Sequence, residues 1–230
     1  MAVELSGAEA GRAVLRARPG SRPAGPAPAP GTHLLGLETG RDGLLYVPRE
    51  MLEPAPLLVL FHGAGGRAPD LPPHFADAAE ARGILLLAPE SRGRTWDVIE
   101  AGGYGADVAF LDRALEAAFA AFPVDGERVG ICGFSDGASY ALSLGLSNGD
   151  LFRHVLALSP GFSAPSRREG RPRVFVSHGV RDQVLPIDPC SRRIVQVLRG
   201  AGYDVEYREF DGGHVLPPEM VTAAVARFLA

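Results

Sequence analysis

The stretch from Val129 to Leu142 constrains this chain most. The apolar run Val129-Gly130-Ile131-Cys132 reads as a strand, and the small-residue pattern from Ala138 to Leu146 reads as a helix. Between them stands Gly133-Phe134-Ser135-Asp136-Gly137. A strand that turns sharply into a helix holds its central serine in a strained backbone conformation. It leaves almost no room two residues to either side, so glycine is needed at both places. Such a turn lifts the serine oxygen off the end of a sheet and sets it beside a helix N-terminus. Ser135 is therefore the candidate nucleophile. Without that context the same five residues would be a glycine-rich turn carrying a surface serine.

The rest of the chain alternates strand and helix patterns. Residues 33–38 and 42–47 read as a hairpin around Thr39-Gly40-Arg41, and 56–61 as a strand buried on both faces. A helix is expected over 72–82, with Pro72 and Pro73 in its first turn where no intrahelical N–H is needed. A strand follows at 84–88, then a loop over 89–105 that contains Trp96. An amphipathic helix is expected over 107–122, strands at 155–158 and 173–177, a helix over 187–198, a strand at 205–210 and a last helix over 218–228. This order predicts a mostly parallel twisted sheet with helices on both faces, joined by right-handed crossovers. Ligands of such sheets collect at the carboxyl ends of the strands, where each motif below falls.

Residues 1–32, rich in proline and alanine, are expected to form an extended or partly disordered arm, and 33–230 a single catalytic domain. A chain of 230 residues with 46% hydrophobic content suits one full core. The 23 basic residues against 27 acidic ones leave no excess for a phosphate backbone, which argues against nucleic-acid binding. All 23 are arginine, so Schiff-base chemistry and a Walker-type phosphate loop are excluded together. The two cysteines, Cys132 and Cys190, are too few for a zinc site or a disulfide framework. No run approaches the roughly 18 apolar residues of a membrane span, and the first residues lack a basic and an apolar region, so the cytoplasm is the expected location.

A serine hydroxyl needs a base, and the base an orienting partner. Of six histidines, His214 follows the last strand in Asp211-Gly212-Gly213-His214 and is the candidate base. His62 and His178, each before a glycine at a strand end, read as structural hydrogen-bonding groups near the site. Asp182, just past the strand 173–177, is the candidate acid. Asp188 reads as first-turn helix charge, and Asp211 stands too near His214 in the chain to reach its ring easily. Backbone amides serve a developing oxyanion best. One candidate is the amide of Asp136. The other comes from His62-Gly63-Ala64-Gly65-Gly66, with Ala64 preferred and Gly65 its rival. Trp96, Leu185 and Val215 are candidates for an apolar acyl pocket, although Trp96 reads equally well as core.

At these residues the chain resembles the phospholipase/carboxylesterase family of α/β-hydrolases, which includes acyl-protein thioesterases. It is also similar to polyhydroxybutyrate depolymerase and feruloyl esterase-like proteins. The matching pieces are Leu60-Phe61-His62-Gly63, Gly133-Phe134-Ser135-Asp136-Gly137-Ala138, the run from His178 to Pro186, and Gly212-Gly213-His214. The resemblance implies an α/β-hydrolase fold, with Ser135, Asp182 and His214 as triad and the amides of Ala64 and Asp136 as oxyanion hole. It departs from acyl-protein thioesterases in having Asp136 where they carry glutamine, and Ala64-Gly65-Gly66 where they carry a Gly-Asp pair. No long insertion separates the strands after the elbow, so no large lid domain is expected. The chain is thus expected to be a serine carboxylic-ester hydrolase working through an acyl-enzyme on small or medium acyl esters, with no metal and no cofactor. A thioesterase or small peptidase with the same triad is the alternative, and a catalytically silent binding protein is the alternative outside enzymes. The expected partner is a small-molecule ester. Oligomeric state stays open, a dimer being one option.

Overall fold

A computed structural model describes residues 13–20 and 27–230. Its eight strands are β1 Gly31–Leu34, β2 Gly43–Val47, β3 Ala55–Phe61, β4 Leu85–Pro89, β5 Val124–Phe134, β6 His154–Leu158, β7 Arg173–Gly179 and β8 Val205–Phe210. They form one sheet in the order β1-β2-β4-β3-β5-β6-β7-β8. β1 and β2 run antiparallel, and every pairing from β4 to β8 is parallel. The helices are α1 Pro72–Arg82, α2 Asp97–Glu100, α3 Ala106–Ala121, α4 Asp136–Ser147, α5 Arg193–Gly200 and α6 Pro218–Leu229, with a π-turn at Asp188–Arg192 before α5.

Each residue of β3, β4 and β6 is buried, as expected of parallel strands covered on two faces. One core packs α3, α4 and α5 against the sheet, and a second packs α1 and α6 against its other face. Gly130 lets α6 approach closely: a Cβ there would stand 2.7 Å from the Phe228 ring. α1 starts on the expected prolines and stops at Gly83, whose left-handed conformation (φ 63°) turns its N–H back to Ala79 O.

Some boundaries differ from expectation. β1 ends at Leu34 because the Asp42 carboxylate takes the amides of Gly36 and Leu37 and closes a wide turn. β5 begins five residues earlier than its apolar run, since Ala55 pairs across with Val124. The helix expected over 187–198 is interrupted: Cys190 has non-helical angles, and regular helix starts only at Arg193. α2 interrupts the loop expected over 89–105.

Of the arm expected over 1–32, residues 1–12 and 21–26 lie outside the described residues. Residues 13–18 follow the body. Ala13, Leu15 and Ala17 are buried in the core, and the amide of Leu15 donates to Asn148 Oδ1 at 2.9 Å. The amides of Arg16 and Ala17 donate to Asp112 Oδ1 at 2.8 Å. Between β6 and β7, residues 159–172 contain no helix, so no lid covers the carboxyl end of the sheet there. No helix among the described residues is long and apolar enough to cross a membrane.

Candidate active site

β5, β7 and β8, with β6 between the first two, end at the same carboxyl edge of the sheet, and the loop after each contributes one group. Ser135 sits between β5 and α4 at φ 58°, ψ −122°, a conformation costly for a residue with a Cβ. Close packing imposes it. A Cβ on Gly133 would lie 2.1 Å from Gly137 O, and one on Gly137 would lie 2.1 Å from Phe61 O and 2.4 Å from His62 O. Two glycines therefore let α4 start directly against the end of β3.

His214, after β8, has Nδ1 2.6 Å from Asp182 Oδ2 and Nε2 2.8 Å from Ser135 Oγ. Asp182 is 6% exposed and accepts the amides of Val184 and Leu185, both at 2.9 Å, on Oδ1. Burial opposes its ionisation, but the Leu185 amide, the His214 ring and the Val184 amide outweigh burial and hold the carboxyl below its ordinary value. The carboxylate then only accepts. His214 Nδ1–H donates to it, and Nε2 is left to accept the Ser135 hydroxyl proton. The Phe134 ring packs against the imidazole, its centroid 4.8 Å away. The rival acids are occupied elsewhere: Asp188 pairs with Arg192, and Asp211 with Arg181, at exposed positions.

The glycine-rich loop after β3 faces Ser135. Gly65 N–H donates to Arg94 O at 2.8 Å and Gly66 N–H to Gly63 O at 3.1 Å. Among the described residues, neither Ala64 N–H nor Asp136 N–H has a hydrogen-bond acceptor. The loop is held from behind by His62. Its Nδ1–H donates to Gly63 O at 2.7 Å, and its Nε2 accepts Ser91 N–H at 3.1 Å. Burial lowers the pKa of this ring, consistent with a neutral imidazole that donates from one nitrogen and accepts on the other.

Trp96 does not line a pocket. It is 1% exposed, stacks on Tyr140 at 4.8 Å and donates Nε1–H to His62 O at 2.9 Å. Its place is in the core under the loop, because the carboxylates of Asp97 and Asp107 knot the chain around it. Asp107 takes the amides of Arg92 and Asp97, and Asp97 those of Gly105 and Asp107. Val215 does line a cleft beside His214, an open space of about 400 Å³ bounded also by Ala64, Leu71, His74, Phe134 and Leu216. Gly65 is exposed at the loop tip. Leu185 is half-buried, with its side chain against Gly161.

Two features were not apparent in the sequence. The first is a buried chain behind Asp182. His178, fully buried, has Nδ1 2.6 Å from Ser191 Oγ and Nε2 2.8 Å from Leu185 O and 3.2 Å from Asp182 Oδ2. A carbonyl only accepts, so Nε2 carries the proton and the Ser191 hydroxyl donates to Nδ1. Burial pushes this histidine toward its neutral form. The second is Thr95, whose hydroxyl donates to Asp136 Oδ2 at 2.7 Å and fixes the side chain of the residue after the serine. Ser191 fell in a segment read as helix and Thr95 in one read as loop. Neither pattern points across the fold.

Together the fold and the site define an α/β-hydrolase fold: a mostly parallel eight-stranded sheet with a strained serine at the end of its central strand. Solved structures agree on the fold. Esterase PE8 superposes with a TM-score of 0.66 at 21% identity, covering 80% of this chain and 95% of that one. The substrate-bound fluorophosphonate-binding serine hydrolase FphF of Staphylococcus aureus superposes with a TM-score of 0.66 at 15% identity, covering 86% and 99%. By sequence the chain is similar to a protein named probable feruloyl esterase C of Aspergillus niger, 29% identical over 173 residues, covering 71% of this chain and 62% of that protein. The chain thus spans about three fifths of the length of the first curated relatives that it matches. No protein-family model matches it.

Proposed function

We propose that this protein is a serine carboxylic-ester hydrolase acting on small or medium acyl esters. The observation that carries the reading is the His214 imidazole, hydrogen-bonded between a buried carboxylate and the hydroxyl of a strained serine. His214 Nε2 takes the Ser135 proton while Oγ attacks the ester carbonyl carbon, and Asp182 stabilises the resulting imidazolium. The carbonyl oxygen becomes an oxyanion that accepts from the unpartnered amides of Ala64 and Asp136. Collapse breaks the ester C–O bond, and the imidazolium gives its proton to the departing alkoxide. Water then deprotonated by His214 attacks the acyl-enzyme, and a second collapse releases the acid and restores Ser135. The curated relatives are named as esterases, which favours oxygen esters over amides.

Turnover of p-nitrophenyl butyrate by wild type and Ser135→Ala tests the reading. The variant should fold and lose activity by on the order of 10⁴-fold or more. A folded variant that keeps a tenth of wild-type turnover would remove Ser135 from the mechanism. A panel of matched ester, thioester and amide substrates should show the ester turned over fastest.

A further inference from the structure

Asp182 has more donors around it than the orienting of one histidine requires. An ionised carboxylate offers about four lone-pair positions. Oδ1 accepts the amides of Val184 and Leu185, and Oδ2 accepts His214 Nδ1–H at 2.6 Å. The position left over faces His178 Nε2–H, with Nε2 3.2 Å from Oδ2. That N–H is shared. Its shorter leg, 2.8 Å, goes to Leu185 O, the carbonyl of a residue whose amide already donates to Asp182. One ring at the end of β7 thus ties together the acid and the loop that holds the acid.

The ring is itself fixed. His178 and Ser191 are both fully buried, and the Ser191 hydroxyl donates to Nδ1 at 2.6 Å, which keeps the proton on Nε2. Ser191 comes from the π-turn, which packs on β7 before regular helix starts at Arg193. The titratable and charged groups around this pair are His214, Cys190, Arg192 and Glu209. Glu209, level with His178 on β8, has both carboxylate oxygens taken by Arg192. Burial and the Asp182 charge keep Cys190 a neutral thiol. We infer that His178 is a positioning residue of the reaction: it fills the last acceptor position of Asp182, fixes the plane of that carboxylate, and limits the negative charge presented to His214. The inference rests on the serine-hydrolase reading above.

A donor to a carboxylate draws charge from it and weakens its hold on a facing imidazolium. Without that donor the carboxylate is looser and holds the imidazolium more tightly, so the free base is regained only at higher pH. The test compares kcat, KM and the acidic limb of kcat against pH for p-nitrophenyl butyrate in wild type, His178→Asn and His178→Gln, with near-UV circular dichroism to report the fold. Glutamine extends its amide as far as Nε2, whereas asparagine reaches only the place of Nδ1. His178→Asn should lose about 10–100-fold in kcat, the scale of a misplaced catalytic group, with KM unchanged and the acidic limb moved to higher pH. His178→Gln should recover most of kcat and return the limb to its wild-type place. Equal losses in the two folded variants, with the limb unmoved in both, would reduce His178 to a packing residue and overturn the inference while the esterase reading stands. Should His178→Asn fail to fold, Ser191→Ala decides: freeing the ring should lower kcat several-fold and move the limb the same way, and a wild-type profile would overturn the inference. If wild type does not turn over the ester at all, the esterase reading fails and takes the inference with it.

Discussion

At the scale of residues, the proposed chemistry depends on which acid faces His214. Asp182→Asn should keep the fold and lower kcat by about 10³–10⁴-fold, because an amide at that position no longer selects the Nδ1–H tautomer. Asp188→Asn should leave kcat unchanged, since that carboxylate is exposed and pairs with Arg192. A reversal of the two results would put the wrong acid at the site. The positions that converge here were legible in the sequence, because Ser135, Asp182 and His214 each follow a strand pattern and are flanked by glycines or turn residues. Ala64 and Gly65 stood as rivals until the fold showed that the Gly65 amide is already committed to Arg94 O. The Ser191–His178 chain was not legible. It joins residues 13 apart, and local periodicity carries no sign of a contact formed only when the π-turn packs on β7.

At the scale of elements, the strand–turn–helix at 129–142 works because β3, β5 and α4 meet without side chains between them. Gly137→Ala would drive a Cβ to 2.1 Å from the Phe61 carbonyl, a backbone atom of a fully buried strand that cannot give way. Overpacking typically costs about 1–3 kcal/mol and occasionally more, so the variant should melt well below wild type and lose its esterase activity. Gly126→Ala, where a Cβ meets nothing within 4 Å, should melt within a few degrees of wild type. Equal melting of the two variants in a thermal scan would refute this view of the elbow. Elements with local punctuation were readable: α1 from its two prolines and closing glycine, β8 from its apolar spacing between turns. The early half of β5 was not, because Asp125, Gly126, Glu127 and Arg128 carry no apolar alternation, and the pairing of Ala55 with Val124 is a long-range property. The break before α5 was missed because Pro189 stands where a helix start tolerates proline, while the irregular residue is Cys190.

At the scale of the whole molecule, the carboxyl end of the sheet is assembled from loops held by buried polar groups, and one of these makes stability depend on pH. Burial pushes the Asp107 carboxyl up to about 6, from 3.8. The folded state therefore binds this proton more tightly than the unfolded chain does. The stability Asp107 contributes is complete below its unfolded pKa and is lost as pH rises through about 6. Asp107→Asn cannot titrate, so its stability relative to wild type should be poorer at about pH 5 than at about pH 7.5, by on the order of 1 kcal/mol. Denaturant melts at the two pH values check this, and a gap that stays constant or widens at the higher pH would contradict it. The central claim, that Ser135 is the nucleophile of an ester hydrolase, is tested most directly by incubating the protein with a fluorophosphonate and following intact mass, site of attachment and esterase activity together. A single adduct, mapped to Ser135, should form in step with the loss of p-nitrophenyl butyrate turnover. An adduct on any other residue, or full activity after Ser135 is completely labelled, would contradict it.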